Sequence, residues 1–140
     1  MEDSEKTTFY GLALIVSLIG AILILVTEFA GYWTSGEWGW IGVDSAAAAI
    51  LVPLAIFLFY STIINLILIT KPDRIPNKNL IKYAKLLCFV TFLLFLIGGI
   101  AYAIIIELEE VESWWFGAGF YGGIIGSLLS FLFMYIAEKY

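Results

Sequence analysis

Lys71-Pro-Asp-Arg-Ile-Pro-Asn-Lys-Asn-Leu-Ile-Lys-Tyr-Ala-Lys85 decides the reading of this chain. Five of these residues are basic and only Asp73 is acidic. Before the stretch, residues 45–70 hold no charge over 26 positions; after it, residues 86–106 hold none over 21. Moving outward, residues 7–27 and 113–137 are also free of charge, over 21 and 25 positions. A hydrocarbon core of about 30 Å is crossed by about 20 helical residues, so each of the four runs is long enough to span it.

The charges between the runs are sorted. All seven bases, Lys6, Lys71, Arg74, Lys78, Lys82, Lys85 and Lys139, flank one set of segment ends. All five tryptophans, Trp33, Trp38, Trp40, Trp114 and Trp115, flank the other. Residues 28–44 and 107–112 bear three and four acids and no base. Lys and Arg are held on the cytoplasmic side near segment ends, whereas acids contribute little to orientation. The expected fold is therefore an all-α integral membrane protein, an antiparallel bundle of four transmembrane helices with both termini cytoplasmic. The expected membrane is the plasma (cytoplasmic) membrane.

Composition agrees. The chain is 62% hydrophobic and 14% charged with a mean hydropathy of +1.00, where a soluble domain carries about a quarter charged residues. Its 140 residues leave little beyond the spans, so a single membrane domain is expected over residues 1–140. Residues 1–6 hold three acids against Lys6, unlike the basic start of a signal peptide, which predicts a retained first helix. Histidine is absent and Cys88 is the sole cysteine. That removes the usual general base and haem ligand, and any disulfide or cysteine-pair metal site within the chain.

The helices are expected at about residues 9–29, 45–70, 80–106 and 114–137. Asp44 or Ser45 would cap the second, Pro53 would kink it, and Asn77 or Asn79 would cap the third. Lys82 and Lys85 would snorkel to the inner headgroups. The outer loop Gly31-Tyr-Trp-Thr-Ser-Gly-Glu-Trp-Gly-Trp-Ile-Gly-Val-Asp44 should lie along the outer surface, since glycines turn and tryptophans prefer headgroups. Residues 107–113 are so short that helices three and four should form a tight hairpin.

Several features invite a function. Ala118, Gly122, Gly126 and Ser130 recur every four residues, as do Gly119, Gly123 and Ser127. Such spacing allows close helix approach, within the bundle or against another subunit. Ala13, Ser17 and Ala21, with Gly20, form a smaller version in the first segment, and Gly98 and Gly99 interrupt the third. Trp33, Trp38, Trp40, Trp114 and Trp115 read as outer interfacial anchors, or as hot spots of a protein contact. Glu107, Glu109, Glu110 and Glu112 have the oxygen chemistry for a divalent cation, although their spacing matches no calcium loop; four acids also keep a short turn solvated. Glu28 reads as an interfacial acid, Asn65 as a side chain bonding to a neighbouring helix, and Cys88 as a small apolar filler.

Known small membrane families differ at defining residues. Vitamin K epoxide reductases and bacterial thiol-oxidising membrane proteins need a Cys-x-x-Cys pair, and Cys88 stands alone. Small multidrug transporters carry a glutamate inside the first helix, where this chain has none between Lys6 and Glu28. Membrane glutathione transferases need an inner arginine-rich site, and Arg74 is the only arginine. Claudin-like proteins share the four-span topology and a tryptophan-bearing first outer loop, here Trp33-Thr-Ser-Gly-Glu-Trp38, but require two loop cysteines and a longer loop.

The expected function is that of a non-catalytic accessory or assembly subunit. Its partners would be the lipid bilayer and other integral membrane subunits or itself, with no nucleic acid. No cofactor is expected, and a bound lipid is the one small ligand allowed for. The alternative is a small oligomeric transporter or channel with an acidic outer mouth.

Overall fold

Four long apolar helices dominate the computed structural model, which describes residues 3–43 and 47–139. They are α1 (Asp3–Val26), α2 (Ala48–Thr70), α3 (Asn79–Leu108) and α4 (Ala118–Lys139). At 22 to 30 residues, each is about 33 to 45 Å long at roughly 1.5 Å per residue. All four are long and apolar enough to cross a membrane.

The helices pack in a ring, α1 on α2 and α4, and α3 on the same two. Neighbours run antiparallel: Ala13 meets Ser130 where Gly20 meets Gly126, and Ser17 meets Thr62 where Gly20 meets Leu58. Small polar side chains share the interior with an apolar core, and large aliphatic ones cover the outside. Ser17, Ser61, Asn65, Thr91, Ser127 and Ser130 are fully buried, while Ile15, Ile19, Ile50, Ile63, Ile97 and Ile104 are more than half exposed or close to it. Only 28% to 39% of each apolar stretch is covered by the rest of the chain. Exposed aliphatic surface on this scale is what helices long and apolar enough to cross a membrane present.

Local chemistry sets the helix ends. Pro72 opens a single 3-10 turn, Pro72–Arg74, that closes α2 through Lys71 N–H to the Ile67 carbonyl. Neither asparagine holds the expected cap position of α3: Lys78 occupies it without a side-chain cap bond. Asn79 is the first helical residue, and the Asn77 side chain accepts the Asn79 N–H at 2.9 Å from one residue before the cap position. α2 continues through Pro53, which denies the Ala49 carbonyl its usual donor. The proposed caps Asp44 and Ser45 lie outside the described residues.

One expectation needs correcting. The two acidic connections do not form a flat loop and a bare turn. They build a three-stranded antiparallel sheet from β1 (Ala30–Thr34), β2 (Glu37–Ile41) and β3 (Ser113–Phe116), in the order β2-β1-β3. Residues 113–116 are thus strand rather than helix, and α4 starts at Ala118. Aromatic side chains favour a pleated, half-buried surface, and Gly117 separates the strand from the helix. Ser35 and Gly36 have φ of 54° and 79°, the two left-handed positions of a two-residue hairpin turn between β1 and β2.

Candidate functional site

Alternation along the strands divides the tryptophans. Trp33 pairs with Trp38, and Gly31 pairs with both Trp40 and Trp115, so these four indoles share one face of the sheet. They are exposed by 37% (Trp33), 66% (Trp38), 58% (Trp40) and 37% (Trp115). Ring centroids lie 6.3 Å apart for Trp33–Trp38 and 6.5 Å for Trp38–Trp115, within the range of favourable aromatic pairs. A side chain at Gly31 would strike the Trp115 ring, so the glycine gives that indole its bed.

The fifth, Trp114, belongs to the opposite face with Ala30, Tyr32, Gly39, Ile41 and Phe116. That face is packed on α3: Ala30, Tyr102 and Ile106 form a buried cluster with Tyr32, Trp114 and Phe116 around it. The Tyr102 hydroxyl donates to the Gly31 carbonyl at 3.1 Å. Trp114 meets Tyr102 edge-on at 5.8 Å and Phe116 at 5.4 Å, and Phe116 stacks on Phe120 at 4.1 Å. The sheet is therefore fastened to the bundle by one face and presents the other outward.

Residues 28 and 29 complete the fastening. The Phe29 N–H donates to the Ile41 carbonyl at 2.6 Å, and the Phe29 and Glu28 carbonyls accept the N–H groups of Gly117 (2.9 Å) and Gly119 (3.0 Å). A Cβ at Gly119 would lie 2.9 Å from the Glu28 carbonyl oxygen, so only glycine admits that approach. Glu28 is half-buried beside Trp40, Gly42 and Val43.

The four acids grouped by the sequence have separate surroundings. Glu107 accepts the Trp114 indole N–H at 2.7 Å, and Glu112 accepts the Ser35 backbone N–H at 3.2 Å, tying the hairpin tip to the connection before β3. Glu109 and Glu110 are exposed in the turn after α3, with Glu110 at φ 56°. Among the described residues no three acidic, cysteine or histidine side chains converge as a metal site.

The small-residue face of α4 meets two neighbours within the chain. Gly126 lies against Val16 and Gly20 of α1, Gly122 against Leu23, and Gly123 against the Phe95 ring of α3. Ser127 donates to the Gly123 carbonyl at 2.6 Å, and Ser130 donates to the Ala13 carbonyl of α1 at 3.3 Å. Ala118 is exposed and Gly122 half-buried, at the edge of a groove of about 380 Å³ between α1 and α4.

Asn65 does not bond across to another helix as expected. Its amide donates back to the Ser61 carbonyl (2.8 Å) and hydroxyl (3.2 Å), and its buried Oδ1 has no partner. Helix geometry explains this, because a side chain four residues on reaches its own preceding turn. Cys88 is buried in the apolar core with Ala21, Leu58 and Phe95.

No protein family, curated protein or solved structure matches the chain. What sequence reasoning missed is the sheet. Its signal was Ser35-Gly36, a two-residue turn flanked by Tyr32-Trp33-Thr34 and Glu37-Trp38-Gly39-Trp40.

Proposed function

We propose that the chain is a non-catalytic four-span membrane protein, an accessory or assembly subunit that contacts other integral membrane subunits. Both termini and residues 71–85 would be cytoplasmic, and the sheet would stand on the outer side. The sorting of Lys and Arg supports that orientation.

One observation carries the reading. Four indoles are gathered on one exposed sheet face, while the opposite face and the glycines of α4 are engaged inside the chain. Tryptophan dominates protein contact surfaces because one rigid side chain buries a large area. The bundle interior is filled by Phe95, Ile24, Leu58 and Met134, which favours a scaffold over a conduit within one chain.

Gentle detergent extraction tests the proposal. The wild type should carry stoichiometric membrane partners, and a Trp33→Leu/Trp38→Leu variant should lose most of them while accumulating normally. Retention of the same partners by the variant would defeat the reading. A self-only particle that conducts cations in liposomes would favour the oligomeric channel instead.

A further inference from the structure

We infer that the tryptophan face of the sheet receives a cationic segment, rich in Lys or Arg, of the partner subunit. The inference rests on the reading of that face as the contact surface, and adds the chemistry of what it contacts.

The sheet end of the molecule carries acids and no base. Glu28, Glu37, Glu107, Glu109, Glu110 and Glu112 all belong to the two connections that build it. One of these borders an indole of the face: Glu28 lines a recess with Trp40 at the root of the sheet. Glu37, paired with Thr34, leaves the hairpin tip from the opposite face, one register step from the Trp33–Trp38 pair. Glu112 reaches the tip through the Ser35 N–H, so both charges lie near the indoles without standing on their face. All seven bases lie in α1, the connection after α2, α3's first turns or the end of α4. Lys85 is paired there with Glu138. Among the described residues no base is paired with an acid of the sheet end.

An indole face attracts a cation through its ring quadrupole, and tryptophan does so best of the aromatic residues. Carboxylates around the sheet end add attraction for guanidinium and ammonium groups alike. The same acids repel an acidic partner and an anionic lipid surface. The tip position also separates this face from simple anchoring in headgroups. Trp40 and Trp115 sit at the root of the sheet opposite Gly31, whereas Trp33 and Trp38 lie at the tip, next to the turn that Glu112 holds through the Ser35 N–H.

The test uses the full chain in phosphatidylcholine nanodiscs with two synthetic peptides of equal length, one alternating Lys and Gly, the other Glu and Gly. The basic peptide should bind and shift tryptophan emission; the acidic one should not. Trp33→Leu/Trp38→Leu should weaken binding about 5- to 30-fold, with Trp33→Phe/Trp38→Phe intermediate. Glu37→Gln/Glu112→Gln should weaken it about fivefold and flatten the salt dependence. Equal binding of both peptides, or binding indifferent to the Leu variant, overturns the inference, as does strong quenching of Trp38 by brominated phosphatidylcholine. If the Leu variant loses its native partners but the peptides are not distinguished, only the cationic assignment fails. If the native partners stay bound to it, the contact surface itself was misassigned.

Discussion

Gly20 and Gly126 mark the point where α1 and α4 touch backbone to backbone. A Cβ added to Gly126 would lie 2.8 Å from the Val16 carbonyl oxygen and 3.1 Å from the Gly20 Cα. One added to Gly20 would lie 2.8 Å from the Gly122 carbonyl oxygen. Backbone cannot step aside as a side-chain tip can, so Gly126→Ala must separate the helices. Overpacking of this kind costs about 1 to 3 kcal/mol. Gly122→Ala should cost a similar amount, because its Cβ would lie 2.8 Å from the Leu23 Cβ, which is fixed to the α1 backbone. Gly11→Ala should be neutral, with its nearest neighbour, Ile69 Cδ1, at 3.8 Å. Thermal unfolding in detergent should place Gly126→Ala and Gly122→Ala both below Gly11→Ala; equal melting of all three would mean the crossing is looser than described.

The hairpin turn gives a second prediction. Gly36 has φ 79° with open space around it, so a side chain there meets strain and no clash. Gly36→Ala should destabilise the hairpin by about 1 to 2 kcal/mol, the cost of placing an L-residue in the left-handed region. Ser35→Asn should do the opposite, since asparagine accepts that region more readily than serine. Proteolysis at the tip would read both changes, faster for Gly36→Ala and slower for Ser35→Asn.

The bundle was legible in the sequence because charge and length are properties of whole segments. Residues 71–85 set two spans at once, and the sorting of seven bases from five tryptophans set the other two. The helices then run past the charge-free limits: α3 begins at Asn79 and includes Lys82 and Lys85, whose long stems let the charge reach beyond an apolar surface. The sheet was hidden for two reasons. β3 pairs with a strand 80 to 86 positions earlier, from Ser113 with Trp33 to Phe116 with Ala30, and no local pattern announces such a partner. Tryptophans at a membrane boundary also have a sufficient local explanation, which masked the alternation that places four of them together. On α4 the spacing revealed two stripes of small residues, but not that Gly126 would face α1 while Gly123 faces Phe95.

Asn65 gives a third test. Its Oδ1 is an acceptor with no donor in a fully buried place, where an unsatisfied polar group costs about 1 to 3 kcal/mol. Leucine has nearly the same size and no such group. Asn65→Leu should therefore leave stability unchanged or raise it, despite losing the bonds to Ser61. A fall of several degrees in the melting midpoint would show that Oδ1 is occupied in the working protein, by an internal water for example.

Orientation is open to direct labelling. In a Cys88→Ser background, a membrane-impermeant thiol reagent should modify Glu37→Cys only from outside the cell and Arg74→Cys only from within. Both positions are exposed, so reactivity reports sidedness rather than burial. Modification of Glu37→Cys from the cytoplasmic side alone would reverse the proposed topology.

The acids before β3 should behave as individuals. Glu107→Gln keeps an acceptor for the Trp114 indole N–H but loses its charge, whereas Glu107→Ala leaves that donor without its carboxylate. A hydrogen bond to a charged group is worth about 1.5 to 3 kcal/mol, and less at an exposed site such as this, so the alanine variant should lose about 1 kcal/mol and the glutamine variant a fraction of it. Glu110 holds φ 56°, where an L-side chain is strained, so Glu110→Gly should stabilise the turn by up to about 1 kcal/mol. Glu109→Gln touches neither effect and should be silent in stability. Glu112→Ala should free the hairpin tip by removing the acceptor of the Ser35 N–H, raising tip proteolysis without lowering the global melting midpoint. Thermal melting and limited proteolysis on the four single variants would establish the order. If all four acids instead responded alike, and only to added calcium, they would be a cation site and the separate roles assigned to Glu107 and Glu112 would be wrong.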